Sequence, residues 1–91
     1  VFLLIEALVE AGIAEGLSAE VAHALASQTV AGAAELVLQS DESPAQLREK
    51  VTSPNGTTFA ALESFRADNF EAIVSRAVKA AAARSRELGQ S

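Results

Sequence analysis

Between Val1 and Gln39 the chain is patterned as two helices that are apolar on nearly every side, and this constrains the fold more than any motif does. In the first, Leu3, Leu4, Ile5, Leu8, Val9 and Ile13 cover too much of the circumference for one buried stripe, leaving Glu6 and Glu10 as the wet edge. The second spreads Val21, Leu25, Val30, Leu36, Val37 and Leu38 as widely, and its run Ala31-Gly32-Ala33-Ala34 admits another backbone at close range. A helix apolar all round is normally a buried one. With 91 residues, near the lower end of what buries an adequate core alone, the chain cannot cover both, so the pattern predicts an oligomer.

No sustained apolar/polar alternation marks a strand, and alanine, glutamate and leucine, all good helix formers, dominate. The expected fold is all-α, with about five helices and no strands. The first runs from Val1 to about Ala14 and stops near Gly16, with Gly12 a weak point inside it. The second has Ser18 as N-cap and Glu20 in its first turn, where the helix dipole favours a negative charge, and extends to about Gln39. A short third helix opens with Ser43, Pro44 and Gln46, a capping box with proline at the first helical position, and ends near Val51. A fourth, with its apolar pattern starting at Phe59, carries Phe59, Leu62 and Phe65 on one face. Asp68 and Glu71 read as a second capping box that starts the last helix. There Phe70, Ile73, Val74, Ala77, Val78 and Ala81 follow the i, i+3, i+4 rule, Arg76, Lys79, Arg84 and Arg86 take the other side, and Gly89 marks the stop.

The chain lacks methionine and opens on Val1 without a capping residue, so a fragment of a longer protein is expected. Glu6 and Glu10 interrupt the opening apolar run, and no basic stretch precedes it, so it is read neither as a signal peptide nor as a membrane span. Without cysteine there are no disulfides and no thiolate metal sites, and a cytoplasmic location is expected. The net charge of −5 argues against nucleic acid or an anionic membrane as partner, because both require clustered Lys and Arg. Every Lys and Arg lies from Arg48 onward, whereas Glu6, Glu10, Glu15, Glu20, Glu35, Asp41 and Glu42 precede it. The acidic front and mildly basic back either attract each other, within a chain or across a dimer, or are two solvated faces.

The stretch Thr52-Ser53-Pro54-Asn55-Gly56-Thr57-Thr58 is the strongest candidate site. Proline holds Ser53 extended, and Asn55-Gly56 tolerates the positive φ of a tight turn. The amides of Gly56, Thr57 and Thr58 then fall at a helix N-terminus without intrahelical acceptors, a place suited to a small anion, with threonine hydroxyls as further donors. The plainer reading is that Thr57 or Thr58 caps its own helix. One hydroxyl suffices for a cap, however, and here there are several.

Glu20-Val21-Ala22-His23 has the Glu-x-x-His spacing of di-iron bundles, with Glu6 or Glu10 as nominal further ligands, but a lone histidine early in a helix is usually a surface or interface residue, and no metal site is assigned. A catalytic triad has no support with His23 as the sole histidine. The Ser-Pro pairs at Ser43 and Ser53 are explained by a helix start and a turn rather than by phosphorylation. No glycine-rich dinucleotide fingerprint is present, so no cofactor-binding residue is assigned.

From Val51 to Glu63 the sequence VTSPNGTTFAALE resembles the signature of the pyrroline-5-carboxylate reductases, usually Ser-Pro-Gly-Gly-Thr-Thr followed by an apolar helix. The resemblance extends along the chain: Val1 to Gly16 resembles the family's long helix, and Phe70 to Leu88 resembles its terminal helix, which ends in Arg-Ser-x-Glu-Leu. Family members join an N-terminal Rossmann domain that binds NAD(P)H to a C-terminal helical domain that dimerises by interlocking its helices. Residues 1–91 resemble only the second, so the resemblance implies an interlocked dimeric bundle from which the nucleotide domain is absent.

Carried over, the resemblance implies that Ser53, Asn55, Gly56, Thr57 and Thr58 bind the substrate. The amides of Gly56, Thr57 and Thr58 would hold the carboxylate of 1-pyrroline-5-carboxylate. The Thr58 hydroxyl would act as the catalytic group near the ring nitrogen during reduction to L-proline by NADPH or NADH. The site would be shared between subunits of a homodimer or higher oligomer, and the fragment alone would be inactive. Asn55 replaces the first family glycine; asparagine is the other residue best able to adopt left-handed angles, so the turn is expected to survive, with its side chain close to the carboxylate. The competing expectation is a free-standing helical interaction module in which the loop only caps a helix.

Overall fold

The computed structural model describes Val1–Gln90. Among these residues it has five helices and no strand: α1 (Phe2–Ala14), α2 (Ala19–Gln39), α3 (Pro44–Lys50), α4 (Thr57–Ala67) and α5 (Phe70–Gly89). They fall into two compact units, Val1–Leu47 and the chain from Arg48 onward, with the division inside α3.

In the first unit α1 and α2 pack as a hairpin. Gly16, at φ 106°, takes the left-handed conformation that ends α1; its N–H donates to the Ile13 carbonyl, and the Leu17 N–H reaches back to the Gly12 carbonyl, both at 3.0 Å. This is a Schellman ending, and glycine is the residue that adopts it without steric cost. Ser18 then caps α2, its Oγ accepting from the Val21 N–H at 3.2 Å, with Glu20 in the first turn as expected.

Gly12 is not a weak point. A Cβ there would lie 3.2 Å from the Ala22 Cβ and 3.3 Å from the Leu17 Cδ1, so its missing side chain is what lets α1 approach α2. The seam of small residues also defines the only buried positions among the described residues, Ala22 at 2% and Ala26 at 8% exposure. The large apolar side chains lie outside it: Phe2 is 86% and Leu38 84% exposed, and nothing lies within 4 Å of where a Cβ on Gly32 would stand. A side chain of this size contributes about 1.5–3 kcal/mol when fully buried, so this hairpin leaves most of its hydrophobic stabilisation unrealised within one chain. By length and composition α2 also suffices to cross a bilayer, a property shared by helices buried in protein cores.

The capping box of α3 forms as read: the Ser43 N–H donates to the Gln46 Oε1 at 2.8 Å, and the Gln46 N–H donates to the Ser43 Oγ at 3.1 Å. In the second unit α4 starts at Thr57, two residues before the apolar pattern. The expected box between Asp68 and Glu71 does not form. Asp68 is the C-cap of α4, its N–H bonded back to the Ser64 and Phe65 carbonyls, and Asn69 precedes α5 at φ 57°, ψ 50° without a side-chain cap bond. One left-handed asparagine turns the chain between the helices, which leaves Asp68 on the wrong side of the bend, and it brings the Phe65 and Phe70 rings to 4.8 Å, tilted by 50°. The last helix ends at Gly89, as expected, with Gln90 as its C-cap. The amphipathic stripe of α5 is regular, yet no residue of the helix is buried.

Candidate functional site

The loop is built by two local devices. The Thr52 hydroxyl donates to the Arg48 carbonyl at 2.6 Å and closes the end of α3, which removes one of the surplus hydroxyls from the site. Ser53-Pro54-Asn55-Gly56 then forms a β-turn closed by the Gly56 N–H donating to the Ser53 carbonyl at 3.0 Å. Proline in its second position and Asn55 at φ 60° in its third give the pattern of a type II turn, which requires a positive φ there.

The turn delivers the chain to Gly56, the N-cap of α4, at φ −85°, ψ −175°. Ala60 is the first residue whose N–H finds an intrahelical acceptor, the Gly56 carbonyl at 3.1 Å. The N–H groups of Thr57, Thr58 and Phe59 therefore have no acceptor among the described residues, since glycine offers no side chain and neither threonine caps the helix. The plain capping reading of the hydroxyls is thus not what the structure forms. The Ser53 hydroxyl, likewise without a hydrogen bond among the described residues, lies beside Gly56: a Cβ built on that glycine would be 2.7 Å from it. Thr58 and Gly56 are half-buried, while Ser53, Asn55 and Thr57 are exposed.

Of the expected site residues, Ser53 stands beside Gly56 and the Thr57 and Thr58 N–H groups are open, and one expected part changes. The Gly56 N–H is engaged in the turn and is not available to an anion, whereas the Phe59 N–H, which sequence reasoning passed over, is. The signal was present in the spacing, because a helix has four N-terminal N–H groups without partners, and counting from Thr57 includes Phe59. The first turn of α4 carries no acidic residue, so no carboxylate of its own competes for these donors. The positive end of the helix dipole, equivalent to roughly half an elementary charge, points the same way.

The other constellation is separate. His23 shares a groove between α1 and α2 with Ile5, Glu6, Val9 and Glu10. No group of three or more metal-binding side chains in position to hold an ion occurs among the described residues.

Comparison with known proteins matches residues 1–88 to the family described as pyrroline-5-carboxylate reductase dimerisation. A pyrroline-5-carboxylate reductase of Pseudomonas aeruginosa is 53% identical over 89 residues, covering 98% of this chain and 33% of the relative. One of Arabidopsis thaliana is 50% identical over 91 residues, covering 100% of this chain and 33% of the relative. Among solved structures, a pyrroline-5-carboxylate reductase of Coxiella burnetii superposes with a TM-score of 0.92 at 44% identity, over 96% of this chain and 32% of that one. A pyrroline carboxylate reductase of Plasmodium falciparum, solved with NADP bound, does so with a TM-score of 0.89 at 39% identity, over 92% of this chain and 32% of that one. The chain thus spans about a third of the length of the relatives it matches.

Proposed function

The chain belongs to the pyrroline-5-carboxylate reductase dimerisation family, and from that premise we propose that it is the dimerisation and substrate-carboxylate-binding domain of an enzyme that reduces 1-pyrroline-5-carboxylate to L-proline. The observation that carries the reading is the open N-terminus of α4, where the Thr57, Thr58 and Phe59 N–H groups stand without acceptors in the segment that bears the family signature. The chain has no glycine-rich turn between a strand and a helix, so the NADPH or NADH that supplies the hydride would be held outside these residues.

In this reading the substrate carboxylate accepts hydrogen bonds from the amides of Thr57, Thr58 and Phe59 and from the Ser53 hydroxyl. Fixing the carboxylate fixes the imine ring attached to it. Reduction of C=N adds hydride at carbon and a proton at nitrogen, and the reading assigns the hydroxyl of half-buried Thr58 to donate toward that nitrogen. Such placement replaces a search through orientations, an effect that reaches about 7–11 kcal/mol at best.

The exposed apolar faces of α1, α2 and α5 are the surfaces through which two copies would interlock as a homodimer, and they account for the apolarity of α2 without a membrane. The net charge of −5 supports a partner of protein rather than nucleic acid, and the cysteine-free composition suits a cytoplasmic enzyme. The test is Thr58→Ala in the enzyme carrying both domains. Imine reduction is expected to fall about a hundredfold in kcat, the scale of a lost proton donor, with dimer and fold retained. Unchanged turnover would remove Thr58 from the mechanism.

A further inference from the structure

Given the anion seat proposed above, the glycine at its mouth needs a reason. At φ −85°, ψ −175° Gly56 occupies extended backbone open to any L-residue, so conformation does not demand it. Capping accepts glycine but does not require it, since Ser, Asp or Asn at this position would satisfy an N–H of the first turn.

What a side chain would meet is Ser53. A Cβ on residue 56 would stand 2.7 Å from the Ser53 Oγ and 3.2 Å from the Ser53 carbonyl oxygen. That carbonyl is tied to the Gly56 N–H in the turn, whereas a serine hydroxyl moves by rotating χ1 to another staggered position. A methyl group at 56 would therefore leave the turn largely in place and drive the hydroxyl away from the α4 amino terminus.

We propose that Gly56 is a positioning residue, keeping open the space from which the Ser53 hydroxyl donates to the substrate carboxylate. Gly56 then acts through Ser53, and the two substitutions Gly56→Ala and Ser53→Ala remove the same interaction by different routes. This rests on the carboxylate-binding reading of the loop and adds the division of labour within it.

The experiment is a double-mutant cycle in the enzyme carrying both domains, reading KM for 1-pyrroline-5-carboxylate and kcat separately. Each single substitution is expected to raise KM about tenfold, the scale of one hydrogen bond to a charged group. The double variant is expected to match the singles at about tenfold, because the second change finds nothing left to remove. A double variant near a hundredfold, or either single with an unchanged KM, overturns the proposal. A crystal structure of Gly56→Ala checks it without kinetics: a rotated Ser53 side chain supports it, and an unmoved Oγ overturns it. An unchanged KM for Ser53→Ala would take that hydroxyl out of the carboxylate seat itself, whereas an unchanged KM for Gly56→Ala beside an impaired Ser53→Ala would overturn the role of Gly56 alone.

Discussion

Helix α2 is capped by Ser18, whose hydroxyl accepts from the Val21 N–H, and carries Glu20 in its first turn; the N-cap of helix α4 is Gly56, with no side-chain acceptor and no acid in the first turn. Both are preceded by a tight turn with a positive-φ residue, Gly16 for one and Asn55 for the other. The same local problem, N–H groups without partners at the positive end of a dipole, is solved by a side chain at α2 and left open at α4. Glycine in place of a side-chain cap costs roughly a few tenths of a kcal/mol, so α4 forgoes that small stability. Side-chain caps close α2 and α3 but neither α4 nor α5; α5 has Glu71 in its first turn, whereas α4 has neither cap nor acid, which is what the proposed binding role requires of it.

The most forceful way to break this contrast is to give α4 the terminus that α2 has. Gly56→Asp supplies both an acceptor and a negative charge where the carboxylate is proposed to sit. In the enzyme carrying both domains, KM for 1-pyrroline-5-carboxylate is expected to rise more than about a hundredfold through occupation of the amides and like-charge repulsion. Thermal stability should meanwhile hold or rise, by roughly a few tenths of a kcal/mol. A variant that binds substrate normally would mean that the α4 terminus is open for no functional reason.

The reciprocal change, Ser18→Ala, takes the cap from α2. The expected outcome is a loss of about 1 kcal/mol in unfolding free energy, read as a lower melting temperature, with kcat and KM unchanged. A kinetic effect at Ser18 would blur the distinction between the two termini, because it would couple a structural cap to catalysis.

What could be read from the residues divides along the same line between local and tertiary causes. The capping box at Ser43 and Gln46, the cap at Ser18 and the stop at Gly16 were legible because each is a bond between residues a few positions apart. The turn at Pro54-Asn55 was legible for the same reason. Gly12 was misread because its partner, Ala22, comes from the other helix of the hairpin, and nothing in the spacing of α1 reveals that approach. The box at Asp68 and Glu71 has a correct spacing, but the left-handed Asn69 between them decides where one helix ends and the next begins. At the proposed site the turn and the open helix start were legible, but not that the amide of Gly56 closes the turn, a detail settled by the phase of the loop against the helix.

The smallest expected effect lies at Asn55, where this chain has asparagine in place of the glycine usual to the signature it resembles. At φ 60° asparagine tolerates the left-handed region better than other residues with a Cβ, and glycine occupies it without penalty. Asn55→Gly therefore trades a relieved strain against a more flexible unfolded chain, and stability should change by less than about 1 kcal/mol. Asn55→Ala, which keeps the Cβ and loses the tolerant side chain, should cost about 1 kcal/mol or more. In the enzyme, Asn55→Gly should alter KM for the substrate by less than about threefold, because the turn that aims the α4 amides is unchanged. A change beyond about tenfold would place the carboxamide among the groups that hold the carboxylate, and the α4 terminus would then owe part of its affinity to a side chain as well as to its open backbone.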